Sequence, residues 1–338
     1  MADTKEKTSL RFGLVGAGAI AQAYVEAFKR ADNAELAAIA DCRQEAAEAL
    51  AETAGCAAFN SVDAMLAEMN LDAALVCTPP ITHPDVCRQL MAAGLHVLCE
   101  KPLAITSEAA VGMIAAAAEH GVLFTMASKF RYVPDVAQAK SLVTSGVLGE
   151  IVMFENVFTG RVDMTHRWNA DPEISGGGVL IDNGTHSVDV TRFFLGELIE
   201  IQAMEGRRIQ ELPVEDTAKM FVHTHGGVMA SIDLSWSVSK ELPYYIAVYG
   251  SAGTLLVGWR ESKYRRSGDA DWTVFGNGYD KFVAFERQVS NFASAIRGEE
   301  PLLVQPEDAL ASVCVIEAAY RSLARGQWEP VDTEASVA

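Results

Sequence analysis

What is missing narrows this sequence first. No run approaches the about 20 apolar residues that a membrane-spanning helix needs, and the opening stretch MADTKEKTSL is polar with no apolar segment behind it. The expectation is a protein of the cytoplasm, neither secreted nor attached to a membrane. Lysine and arginine are scarce and never clustered: 27 of them face 45 acidic residues, for a formal charge of −18. A chain so charged repels phosphate backbones and anionic lipid, which argues against nucleic acid as a partner. The six cysteines form no CxxC pair, and most sit in apolar stretches such as ALVCT and HVLCE. Buried free thiols in a reducing compartment follow from that pattern. Cys77, His83, Cys87, His96 and Cys99 lie near one another in sequence, but their spacing matches no familiar zinc pattern, so no metal is expected. No internal repeat or low-complexity segment is present, and only the ends, 1–9 and 334–338, are expected to fray.

What is present suits a globular protein of two domains. The 338 residues exceed the usual span of one hydrophobic core, with 50% hydrophobic and 21% charged residues. Up to residue 128 short apolar runs alternate with helical periodicity. LRFGLVGAG (10–18), AELAAIAD (34–41), DAALVC (72–77), HVLCE (96–100) and VLFTMA (122–127) have strand length, and helices are expected over 43–54, 84–93 and 107–120. Runs that are apolar throughout belong to a parallel sheet covered on both faces. The expected fold class is therefore α/β at 9–128, a doubly wound Rossmann domain.

The grammar changes at 129–333. After helices expected at 136–145 and 185–195 come long extended runs, among them EIVMFENVFTG, TAKMFVHTH and VMASIDLSWSV, several of which alternate apolar and polar residues. That pattern predicts an α+β domain with a large, mostly antiparallel sheet covered on one face. Gly226 and Gly227 supply a tight turn, and helices at 282–297 and 307–325 end the chain. His223 and His225 are assigned to a solvated face. Trp236, Tyr244, Tyr245 and Tyr249 read as a covering of the sheet, with a homodimer or homotetramer expected where that sheet pairs with a second copy.

The residues that carry chemistry gather at strand ends. GLVGAGAIA sets Gly16, Gly18 and Ala21 in a G-x-G-x-x-A frame at a strand-to-helix junction. There Gly16 permits a tight turn, Gly18 admits a pyrophosphate to the backbone, and the helix N-terminus at Ala19 and Ile20 faces the phosphates. Asp41 ends the second strand, where a carboxylate accepts from ribose hydroxyls and repels a 2′-phosphate; NAD is favoured. Arg43 would clamp that phosphate if Asp41 turned away, so NADP stays open. CTPPITH follows the fourth strand: Thr78 and Pro79 are candidate cofactor contacts, and His83 either touches the cofactor or caps the next helix. CEKPLA ends the fifth strand with Glu100 and Lys101 in the same crevice, and a lysine there is costly unless it meets a ligand or a carboxylate.

These motifs, followed by SGGGVLIDNGTHSVDVTRFFLG, VEDTA, LSWS, VYGSAGTL and FVAFERQVSNFASAIRG, resemble the Gfo/Idh/MocA oxidoreductases over nearly the whole chain. The resemblance implies hydride transfer between a nicotinamide and a secondary alcohol or ketone of a sugar, cyclitol or sugar derivative. It also implies that Lys101, Asp182 and His186 face the nicotinamide, that Arg131 of SKFRYVP lies near the cofactor, and that Arg167, Trp168 and Asn169 are substrate contacts. Asp182 and His186 are four residues apart, so both side chains lie on one helical face, and the glycines 176–178 let the chain bend close to a ligand. His186 would take the hydroxyl proton, with a neighbouring carboxylate to orient it, while Lys101 would bind the reacting oxygen. The acidic net charge does not describe the pocket, where Lys101, Arg131 and Arg167 would favour an anionic sugar. Rival readings are a non-catalytic NAD(P)-binding regulator and a binder of a methyl-donor nucleoside. Neither gives Lys101 and His186 a task.

Overall fold

A computed structural model describes residues 9–332. Ser9 apart, the ends expected to fray lie outside those residues, as does residue 333 of the second expected domain. The first part alternates without exception: β1 (Leu10–Val15), α1 (Ala19–Phe28), β2 (Ala34–Ala40), α2 (Gln44–Ala54), β3 (Ala57–Phe59), α3 (Val62–Glu68), β4 (Ala73–Val76), α4 (His83–Ala92), β5 (His96–Glu100), α5 (Ser107–His120) and β6 (Phe124–Ala127). The strands form a six-stranded sheet in the order β3-β2-β1-β4-β5-β6, all parallel. Every residue of β4 and β6 is buried, which is why these runs carry no polar alternation. The order reverses between β1 and β4, and the crevice beyond their carboxyl ends is where an open α/β sheet binds its ligand.

The second part supplies α6 (Pro134–Thr144), β7 (Ile151–Thr159), α7 (Pro172–Ser175), α8 (Val179–Leu195), β8 (Leu198–Glu205), β9 (Thr217–Thr224) and β10 (Met229–Ser235). It continues through β11 (Ile246–Gly250), β12 (Gly253–Val257), β13 (Ser262–Arg266), β14 (Thr273–Gly276), α9 (Lys281–Ile296), α10 (Pro306–Arg325) and β15 (Glu329–Pro330). The strands make a nine-stranded sheet, β14-β13-β12-β11-β7-β10-β9-β8-β15, in which β7 and β10 form the one parallel pair. The period of two is visible in burial. Ala218, Met220, Val222, Ala230, Ile232 and Leu234 turn into the core beneath α8 and α10, and Phe221 and Met229 turn outward and are exposed. The outer face also holds the Lys219–Asp233 pair (2.9 Å) and Glu155, which accepts from the hydroxyls of Tyr244 and Tyr249. Trp236 and Tyr245, expected on that face, are buried in the core instead.

The last helices return to the first sheet. Phe292 of α9 meets the ring edge of Phe12 (6.2 Å between centroids), and Phe285 meets Tyr24 (4.5 Å). Along α10, Leu310, Val313 and Cys314 join the core of the parallel sheet, whereas Val315 and Ile316 join that of the antiparallel one. One helix thus packs into two cores.

Two differences from the sequence expectations have physical reasons. Helix α8 begins at Val179, six residues before the expected start, because its N-terminal N–H groups are satisfied from a distant loop: Glu215 Oε1 accepts from Gly178 (3.1 Å) and Leu180 (3.0 Å). No local capping signal records this. Strands β13 to β15 were not anticipated, since SKYRR and its neighbours lie toward the edges of the sheet and lack an apolar stripe.

Candidate active site

The β1–α1 turn is built as its glycines suggest. Gly16 sits at φ +101°, and a Cβ there would lie 2.8 Å from the Cys77 carbonyl carbon and oxygen, so only glycine lets β1 and the β4 turn approach this closely. Around Gly18 nothing lies within 4 Å of where a Cβ would be, and α1 starts without a side-chain cap. Open space in front of an uncapped helix N-terminus fits a pyrophosphate. Asp41 closes the turn: one oxygen accepts from the Ala17 N–H (2.7 Å), the other from the Arg43 N–H (2.8 Å), and the Arg43 guanidinium lies against the same carboxylate (3.3 Å). Burial pushes the Asp41 pKa up, but the Arg43 and Ala17 N–H donors outweigh it and hold the carboxyl below its ordinary value.

A cavity of about 530 Å³ runs from this turn into the space between the two sheets. Gly18, Ala19, Ile20 and Thr78 line its near end, with Glu100 and Lys101 at the end of β5. The far wall brings Arg167, Trp168 and Asn169 from the loop before α7, and Asp182 and His186 from α8. Lys101 donates to the Asp182 carboxylate and to its backbone oxygen (3.2 Å), joining the first sheet to the helix of the second. Glu100 turns the other way: it accepts from the Tyr24 hydroxyl (2.6 Å) and from the Lys101 N–H (3.0 Å), and Gln288 of α9 donates to the same hydroxyl (2.8 Å). Burial raises the Glu100 pKa, against the pull of Tyr24, Lys101 and Lys129.

His186 is 8% exposed, and among the described residues its Nδ1 has no hydrogen-bond partner. The ring of Phe130 stands edge-on to it at 5.1 Å. The carboxylate expected to orient this imidazole is engaged by Lys101 instead. Burial, followed by the charges of Lys101 and Lys129, holds the His186 pKa well below 6.5. The arrangement pairs an ammonium already fixed by a carboxylate with a neutral imidazole free to accept a proton.

Five expected contacts lie outside the cavity lining. His83 is wholly buried, with Nδ1 2.9 Å from the Pro102 carbonyl oxygen and Nε2 2.9 Å from that of Thr78. It ties the β4 turn to the β5 turn from behind the cavity. Arg131 is 4% exposed; its guanidinium meets Asp189 (2.7 Å) and Asp308 (2.9 Å), so it links α8 to α10 and does not line the cavity. Asp41 and Arg43, beside the glycine turn, and Pro79, after β4, also lie outside the cavity lining. In place of Arg131 the wall carries Lys129, which sequence reasoning passed over. The signal was available: Lys129 lies two residues past β6 as Lys101 lies one past β5, both at the ligand side of a buried parallel strand. Among the described residues no group of three or more His, Cys, Asp or Glu is placed to hold a metal ion, and no helix is long and apolar enough to cross a membrane.

Residues 10–128 match the family model described as "Oxidoreductase family, NAD-binding Rossmann fold", and residues 136–256 match the GFO/IDH/MocA C-terminal domain. The chain belongs to the Gfo/Idh/MocA oxidoreductase family. Among curated relatives it is 26% identical to inositol 2-dehydrogenase of Rhizobium meliloti (strain 1021), across 94% of this chain and 97% of that protein. It is 28% identical to the rhizopine catabolism protein MocA of Rhizobium meliloti, across 94% and 96%. A levoglucosan dehydrogenase solved in complex with NADH shares the fold, with a TM-score of 0.89 over 96% of this chain and 100% of that one at 20% identity. This Gfo/Idh/MocA chain therefore carries an NAD-binding Rossmann domain within a family of sugar and cyclitol dehydrogenases.

The depressed His186 pKa has a testable sign. A base must be neutral to accept a proton, and His186 here stays neutral to a lower pH than an ordinary imidazole near 6.5. An NMR titration of the histidine rings, with the His186 signal assigned by its loss in His186→Gln, should place the midpoint distinctly below 6.5. A midpoint at or above that value would mean the ring is solvated.

Proposed function

We propose that this protein is an NAD-dependent dehydrogenase that interconverts a secondary hydroxyl and a ketone on a sugar, cyclitol or sugar derivative in the cytoplasm. Residues 9–128 hold the cofactor and 129–333 contribute the substrate side. The observation that carries this reading is the convergence of Lys101, from the first sheet, with Asp182 and His186, from the helix of the second, on one cavity that begins at the glycine turn. A sensor of cofactor has no use for that set.

When bound, the nicotinamide supplies the hydride chemistry. Gly16, Gly18, Ala19 and Ile20 would seat the pyrophosphate, Asp41 the adenosine ribose, and Thr78 and Glu100 the nicotinamide end. His186 takes the hydroxyl proton onto its neutral imidazole in the oxidative direction and returns it in the reductive one. Lys101 donates a hydrogen bond to the reacting oxygen and stabilises negative charge that develops there. Asp182 fixes the Lys101 ammonium in position and keeps it from collapsing onto Glu100. Trp168, Asn169 and Arg167 bind substrate at the mouth. The preference for NAD rests on Asp41, ionised and held by Ala17 and Arg43 where a 2′-phosphate would meet it.

Lys101→Met and His186→Ala should each lower kcat by about 10²-fold or more, with the Kd for NADH largely intact by fluorescence titration. Near-wild-type turnover in either variant refutes its role. Titration of the wild-type protein should show NADH binding more tightly than NADPH, and the opposite order would overturn the assignment of Asp41. The uncovered face of the nine-stranded sheet, where Met153, Met204, Phe221 and Met229 are exposed, supports pairing between copies. Sedimentation equilibrium at micromolar concentration should give a dimer or tetramer; a monomer would sink that expectation.

A further inference from the structure

The cavity holds more positive charge than its own carboxylates engage. Lys101 is met by Asp182, and the two oxygens of Glu100 are taken by the Tyr24 hydroxyl and the Lys101 N–H. Lys129, on the same wall, is different. Its ammonium lies 5.3 Å from the ring centre of Phe130 and 5.4 Å from that of Phe285, and among the described residues no oxygen accepts a hydrogen bond from it. The charges that face it are Glu100 and Asp182, opposed by Lys101 and Lys281. At the mouth Arg167 adds a further cation to the lining.

A half-buried ammonium with rings on its flanks and no hydrogen-bond acceptor is costly to hold, and the cost is recovered when an acceptor arrives with the ligand. Burial lowers the Lys129 pKa to about 8, so the side chain is still mainly charged near neutrality. The rest of the cavity suits a sugar ring: Phe158, Trp236 and Trp259 add aromatic carbon to the lining, against which its C–H surface can pack. A phosphate dianion is generally met by several N–H donors from guanidinium forks or a helix N-terminus, whereas this inner wall presents one unengaged ammonium. That chemistry matches a carboxylate.

Resting on the dehydrogenase reading above, we propose that the substrate is a sugar acid, a uronate or aldonate, whose carboxylate is bound by Lys129 while its reacting carbinol lies between Lys101 and His186. Lys129 thereby acts as a specificity-determining residue, and the anion site foreseen at Arg131 sits two residues earlier in the chain.

The test uses full-length protein loaded with NADH and isothermal titration with matched ligands. Methyl β-D-glucopyranosiduronate and D-gluconate are compared with methyl β-D-glucopyranoside and D-glucitol. None of the four has a carbonyl for NADH to reduce. D-gluconate 6-phosphate tests whether a phosphate adds to binding. At least one acid should bind at least tenfold more tightly than its neutral partner, and that ratio should fall at least tenfold in Lys129→Met and recover in part in Lys129→Arg. Equal binding of acid and neutral partner, no binding by either acid, tighter binding of the phosphorylated acid, or an unchanged ratio in Lys129→Met would each overturn the proposal. Should Lys129→Met fail to fold, Lys129→Gln takes its place, and the wild-type ratio alone is enough to refute. Failure to bind either NADH or NADPH would instead sink the dehydrogenase reading, whereas NADH binding without a preference for acids sinks only this inference.

Discussion

The contact between Lys101 and Asp182 is the constraint on which the geometry of the site depends. It joins the end of a parallel strand to the first turn of a helix that lies on a different sheet. An ammonium pointed into a cavity needs a counter-charge, and here that counter-charge belongs to the other half of the molecule. Helix α8 must therefore start where it does. Glu215 and Tyr320 hold its N-terminus: Glu215 accepts from Gly178, Leu180 and the Tyr320 hydroxyl, and the Tyr320 oxygen also accepts from Gly178. Gly178 has no room for a side chain, since a Cβ would sit 2.1 Å from the Glu215 carbonyl oxygen. The glycine run is thus explained as much by the close passage of that loop as by access for a ligand.

The same concern for registry explains why the chain turns back on itself. Phe285, Val289 and Phe292 of α9 bury against β1 and α1, and Arg131, from the turn after β6, reaches Asp189 and Asp308 to hold α8 and α10 together. Neither half could rotate against the other without exposing these rings. The cavity between the halves is accordingly set by packing remote from it. His83 adds a smaller tie of this kind, bridging two turns of the first sheet through its two ring nitrogens.

Local chemistry was legible in the sequence and distant compensation was not. The strand-glycine-helix unit, the doubly wound order and the alternation of β9 and β10 all follow from period and from the conformational demands of glycine, which act over a few residues. The convergence of Lys101, Asp182 and His186 came from a family resemblance, and the partner of Asp182 was misjudged because a carboxylate four residues before a histidine gives no hint of a lysine eighty residues away. Arg131 misled for the opposite reason. The family resemblance set it near the cofactor, and only the fold reveals the two aspartates, Asp189 and Asp308, that meet it. Lys129 was hidden by that brighter neighbour, although the rule applied to Lys101 selects it equally. Trp236 and Tyr245 show the remaining limit: aromatic residues in an alternating sheet can be assigned to a face only once the register is known.

The corner made by Asp41 and Arg43 lies apart from all of this. Arg43 is largely in solvent, neither residue lines the inner cavity, and their partners are backbone groups of the turn and of Arg43 itself. Substitutions there disturb no aromatic packing and none of the ties between the halves. On the assignments proposed above, coenzyme choice and sugar choice would be encoded in physically separate modules, so that descent with modification could retune either one while the other is inherited unchanged.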